Sequence, residues 1–205
     1  MAAILITLYP LLCVFVPCLI YVFIRARKPG NHLSRAHFIW VILFLIYLNM
    51  VLETTGIGTI WDIGRYDGII SLDKINLIPL NDGLELSQIL NIFMFIPLGF
   101  LLPLLWKNYR SLSRILLAGA CYSLFIELCQ LFNNRVSDIN DLIMNTLGSL
   151  AGYLVWILFR RLFPRTGTRK ELALSAHEPA VYMALSILSH FLLCNWRWAV
   201  SMLYT

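Results

Sequence analysis

The stretch "IELCQLFNNRVSDINDLIMNTLGSLAGYLVWILF", residues 126–159, joins the end of one apolar run to the whole of the next. Across the junction it carries Glu127, Gln130, Arg135, Asp138, Asp141 and Asn145. An apolar run of about 20 residues spans a bilayer as a helix, so the stretch reads as a membrane hairpin with a polar turn. Ionisable groups at membrane depth cost at least about 2.5–3.5 kcal/mol, so these residues need partners or a task.

Working outward, apolar runs recur at about 3–24, 36–53, 89–106, 113–132, 141–159 and 180–194, the last reaching toward 204. The 205 residues are 60% hydrophobic and 13% charged, with a mean hydropathy of +0.76. Soluble domains carry about 25% charged residues, so this is an all-α, polytopic transmembrane bundle of six spans. A bundle that uses nearly the whole chain leaves no room for a soluble catalytic domain. The first run has no basic residue before it and "RARK" after it, the reverse of a cleaved signal, so it reads as a retained span. The five cysteines lie in the spans without a CxxC pair and read as small core residues.

The net charge of +5 is not spread as a nucleic-acid surface would be. Loops 25–35, 107–114 and 160–178 hold 12 of the 16 Lys and Arg, and they alternate along the chain. The positive-inside rule then makes these loops cytoplasmic and places both termini, loop 54–88 and turn 133–140 outside. Most acids agree: Glu53, Asp62, Asp67, Asp73, Asp82, Glu85, Asp138 and Asp141 fall outside, Glu171 and Glu178 inside. The polar turn is therefore expected on the extracytoplasmic side.

Loop 54–88 contains the apolar patch "INLIPL" (75–80), too short to span and expected to pack on the bundle or dip into the interface. The third span begins with Asn91 and carries Pro97, Gly99 and Pro103, which predict a kink in its outer half. In the fifth span Asp138, Asp141, Asn145, Gly148 and Gly152 recur at helical spacing and share one face. Gly148 and Gly152 form a GxxxG, whose plain meaning is close helix packing and whose functional reading is a groove for an acyl chain.

Glu127 lies one turn below the outer end of the fourth span, with Gln130 on the same face. Arg135 is the expected partner for Glu127, Asp138 or Asp141. One reading is a structural network that pins the turn between the fourth and fifth spans. The other is an outer-leaflet site for a polar head group, the carboxylates meeting amines, hydroxyls or a cation, and Arg135 meeting anions. Carboxylates alone can hold a hard metal. No histidine joins them, since His32, His37, His177 and His190 fall elsewhere, and neither metal nor cofactor is assigned.

At these residues the chain resembles the VanZ-like family of bacterial membrane proteins. The matching segments are "INLIPL", "NIFMFIPLGFLLP" and "SLFIELCQLFNNRVSDINDLIMNTLGSLAGY". The resemblance implies a four-helix core over 36–159, an extra span and basic loop in 1–35, and a basic loop and span in 160–205. It places family motif positions on Asn76, Pro79, Asn91, Pro97, Gly99, Glu127, Gln130, Arg135, Asp138, Asp141, Asn145 and Gly148. The family takes its name from a protein that lowers sensitivity to the glycopeptide teicoplanin. The resemblance thus implies a bacterial plasma-membrane protein with an outward-facing role in tolerance of such antibiotics. The position of the polar residues at the outer leaflet adds the expectation that it engages membrane lipids, a lipidated glycopeptide or a lipid-linked cell-wall precursor. An enzyme acting on a lipid head group through Glu127 with Asp138 and Asp141 is the alternative.

Overall fold

In a bilayer the backbone must satisfy its own hydrogen bonds, and uninterrupted apolar runs do so as helices. The computed structural model describes residues 2–29, 33–66, 74–79, 85–133, 135–163 and 177–201. Their helices are α1 (Ala2–Ala26), α2 (Arg35–Thr55), α3 (Leu86–Leu105), α4 (Leu112–Gln130), α5 (Ile139–Leu162), α6 (Glu178–Leu193) and α7 (Trp196–Ser201). Helices α1 to α5 are long and apolar enough to cross a membrane. The chain is a multi-pass membrane protein. Leu80, His32, Asp67, Asp73, Asp82, Arg165, Arg169, Lys170 and Glu171 lie outside the described residues.

The expected sixth span differs. Helix α6 has 16 residues, a rise of about 24 Å against a hydrocarbon thickness of about 30 Å. The break after it has a local cause. The Asn195 side chain accepts from the Trp198 N–H (3.1 Å) and starts α7, while the Asn195 N–H donates to the Tyr9 hydroxyl (3.1 Å).

The helices alternate in direction. At one end the start of α2, the end of α3 and the start of α6 meet through His37, Trp106 and Glu178. The loops and helix ends around them carry Arg27, Lys28, Lys107, Arg114 and Arg160. At the other end Trp61 Nε1 donates to the Leu192 carbonyl (3.2 Å), and Tyr9 donates to that of Leu193 (2.6 Å). The core between the ends is built of Phe44, Leu48, Phe95, Leu102, Tyr122 and Tyr182. Outward-facing Met50, Phe93, Leu117, Phe125 and Leu158 form an apolar belt suited to lipid rather than water.

Lipid tails are as apolar as leucine, so helices in a bilayer associate by close packing and hydrogen bonds. Here the closest seam is α3 against α5. A Cβ added to Gly99 would lie 2.0 Å from the Ser149 carbonyl oxygen, and one at Gly148 would lie 2.3 Å from that of Ile92. Of the two readings of the glycine face, close packing therefore holds, and the groove for an acyl chain is occupied by the backbone of α3. Helix α3 runs as one helix through Pro97 and Pro103. The Tyr47 hydroxyl donates to the Met94 carbonyl (3.0 Å), tying α2 to the turn before Pro97.

Candidate functional site

The turn between α4 and α5 is built by three devices. Asp138 is the N-cap of α5 and accepts from the Asn140 N–H (2.9 Å), which satisfies one of the unpaired donors at a helix start. Ser137 and Asp138 form a strand, β2, that pairs in parallel with β1 (Ile75–Asn76), Ile75 opposite Ser137 and Asn76 opposite Asp138. Ser137 Oγ donates to the Glu127 carbonyl (2.9 Å), closing the turn onto the last helical turn of α4.

β1 belongs to the "INLIPL" patch. Packing on the bundle holds for Ile75 and Asn76, whereas Leu77 and Ile78 are exposed.

These devices bring most of the expected residues together in two tiers. The outer tier is half-buried: Asn76 Nδ2 donates to Asp138 Oδ1 (3.3 Å), and Asn91 Nδ2 donates to Asp141 Oδ1 (2.7 Å). The inner tier is buried. Glu127 Oε2 accepts from the Asp138 N–H (3.0 Å), and Asn145 Nδ2 donates to Ser123 Oγ (2.9 Å). Below it Ser149 sits against Gly119, where a Cβ would lie 2.2 Å from the Ser149 hydroxyl.

Arg135 makes no close ion pair with the acids, although Asp141 feels its charge from beyond 4 Å. Among the described residues no Lys, Arg or His nitrogen lies within 4 Å of Glu127, Asp138 or Asp141. The Arg135 guanidinium instead lies over Gly56, at the end of α2, where a Cβ would be 2.6 Å from its nitrogen. Gly56 has φ 57°, the left-handed conformation that ends a helix and favours glycine. Gln130 Nε2 donates to the Thr55 carbonyl (2.8 Å) and Asn133 Nδ2 to that of Gly56 (2.9 Å). Gln130 and Asn133 thus satisfy carbonyls that the end of α2 leaves unpaired. Expecting Arg135 to pair with a carboxylate overlooked this helix end, whose backbone brings the turn to itself.

The site is left with an excess of acceptors. Gln130 Oε1 and Asn145 Oδ1 are buried without a hydrogen-bond partner among the described residues. The three carboxylates of the same turn accept, among the described residues, from neutral N–H donors. Such a set takes a hydrogen-bond donor or a positive charge. Among the described residues no group of three or more His, Cys, Asp or Glu has the geometry to hold a metal ion.

Ser123, Ser137 and Asn133 belong to this network and were not expected. Ser123 was within reach of sequence reasoning, since Ser123, Glu127 and Gln130 fall at helical spacing on one face of α4. Nothing in the local pattern signals Asn133, whose partner lies 77 residues away.

The sequence model of the protein family described as VanZ/LLP1 matches residues 11–160, from within α1 to near the end of α5. No curated protein and no solved structure matches the chain.

Proposed function

The chain belongs to the VanZ/LLP1 family, and from that premise we infer that its working part is the acceptor-rich turn between α4 and α5. That turn faces the extracytoplasmic side and receives the polar, donor-bearing head group of a lipid-linked or lipidated ligand. The excess of acceptors carries this reading: three carboxylates and two amide oxygens without a partner among the described residues favour ammonium and hydroxyl groups over anions. Lipid linkage needs no acyl pocket in the protein, because the tail stays in the bilayer while the head group reaches Asp141 and Asn91 from the side. In a bacterium such engagement contributes to tolerance of teicoplanin-type glycopeptides.

The test uses shape-preserving changes. Asp141→Asn keeps an oxygen for Asn91, and Glu127→Gln keeps one for the Asp138 N–H. Each should reduce glycopeptide tolerance to that of cells lacking the protein, at unchanged membrane abundance. Exposed Arg27→Gln, at the opposite end, should be silent. Full tolerance in both acid variants at normal abundance would sink the reading. A new lipid species, formed by purified wild-type protein and lost in Glu127→Gln, would instead assign these carboxylates to acid–base chemistry.

Sidedness has its own test. Thr59 is buried and bonded to Asp62, so it is a poor reporter. Arg65 and Lys28 are exposed at opposite ends. In a background without native cysteines, Arg65→Cys should react with an impermeant thiol reagent on whole cells and Lys28→Cys should not. The reverse pattern would place the polar turn in the cytoplasm.

A further inference from the structure

At the opposite end of the bundle lies a recess of about 300 Å³, lined by Arg110, Tyr153, Trp156, Ile157, Arg160 and Arg161. Its floor comes from one face of α5, where residues 153, 156, 157 and 160 follow at helical spacing. The Tyr153 and Trp156 rings stack, with centroids 5.4 Å apart and planes 28° apart. The Arg160 guanidinium lies 5.6 Å from the centre of the Trp156 ring. Arg110 reaches the same ring at 6.0 Å from the connection between α3 and α4. It is held there at two points: its Nε donates to the Pro103 carbonyl (3.2 Å), and its own carbonyl accepts from the Tyr153 hydroxyl (3.0 Å).

The recess is rich in positive charge. Arg160 and Arg161 suit the negative end of the α5 dipole. Arg110 comes to the same indole from another element, so three guanidinium groups gather at one recess. Among the described residues no Asp or Glu lines the recess, and no carboxylate lies within 4 Å of Arg160 or Arg161. Guanidinium groups match the paired oxygens of a phosphate, and an aromatic floor holds them in place. Leu154, Leu158 and Leu162 lie on the adjoining stripe of α5, all more than half exposed, and continue the lipid-facing belt away from the recess.

Cations above and acyl-ready surface below describe the outline of one anionic phospholipid. We propose that this recess is a binding site for the phosphodiester head group of an anionic phospholipid, seated between Arg110, Arg160 and Arg161 with its chains along α5. The site is independent of the acceptor-rich turn and of its function.

The experiment measures lipid retention by full-length protein in mild detergent, using native mass spectrometry and thermal unfolding. The probes are phosphatidylglycerol, phosphatidylcholine and inorganic phosphate. Phosphatidylglycerol should be retained and should raise the unfolding temperature, while the other two do neither. The exposed double variant Arg160→Gln/Arg161→Gln should weaken that retention by about tenfold, the scale of losing charge-assisted hydrogen bonds. It should unfold like the wild type when no lipid is added. The variant Arg27→Gln/Lys28→Gln removes the same charge from the same end and should retain the lipid normally. Equal retention of phosphatidylcholine would overturn the proposal, as would equal loss in the Arg27/Lys28 variant or equal protection by inorganic phosphate.

Discussion

Glu178→Ala is expected to destabilise the folded protein by about 3–5 kcal/mol, because three buried donors lose the one carboxylate they share and hydrogen bonds to a charged group are worth about 1.5–3 kcal/mol each. The Glu178 side chain is fully buried at the start of α6. It accepts from His37 Nε2 on α2 (2.8 Å), from Trp106 Nε1 at the end of α3 (3.1 Å) and from the Tyr182 hydroxyl (2.6 Å). One carboxylate therefore fastens α6 to two other helices, and its removal strands three buried donors. Glu178→Gln keeps the volume but turns an NH₂ group toward one of those donors, and should cost less. The double variant Glu178→Ala/His37→Ala should be less destabilised than the sum of the two single changes, because it leaves neither partner stranded. Reversible unfolding of detergent-solubilised protein checks this. A Glu178→Ala protein within about 1 kcal/mol of the wild type, the worth of one ordinary hydrogen bond, would refute the latch.

Gly152→Val is expected to separate α3 from α5. A Cβ at Gly152 would meet the Ile96 carbonyl oxygen at 2.0 Å and the Phe100 nitrogen at 2.9 Å. Both are backbone atoms, so no rotamer change relieves the clash and one helix must move. Overpacking costs about 1–3 kcal/mol when side chains can adjust. Here the cost should reach or exceed the top of that range. Asn91 on α3 holds Asp141 on α5 along the same seam, so the displacement should also pull apart the outer tier of the site. Gly152→Val should therefore lose membrane abundance and, on the function proposed above, glycopeptide tolerance with it, unlike Asp141→Asn, which on that proposal should lose tolerance alone. Gly64 supplies the contrast: it has φ 73° with no atom near an added Cβ, and Gly64→Asn, a residue that tolerates this conformation, should be mild. Normal abundance and an unchanged unfolding temperature for Gly152→Val would refute the seam.

Much of this architecture is legible along the chain. The five spanning helices, the α4–α5 turn and the shared face of Asp141, Asn145, Gly148 and Gly152 follow from local pattern. A bilayer requires runs of about 20 apolar residues, and helical spacing sets which of them face the same way. The basic residues likewise mark one end of the bundle, because alternate loops must share an end. Asp138 as a helix start is also local, since an N-cap bonds to its own next turn.

What local pattern cannot carry is the identity of the element that covers a face. The Gly148/Gly152 face reads most plainly as a seat for a helix but also as a groove for a ligand, and only the approach of α3 decides between them. Arg135 could reach three carboxylates by sequence proximity, yet it lies over Gly56, because the carbonyl end of α2 draws the whole turn to itself. Glu178 looked like one more acid in a basic loop until the fold set it against His37, 141 residues away. By itself, the sequence determined that this protein spans a membrane many times with a polar turn at one end and cations at the other. Only the tertiary structure decided which polar groups satisfy each other, because a hydrogen bond depends on distances between separate helices that no periodicity along one helix records.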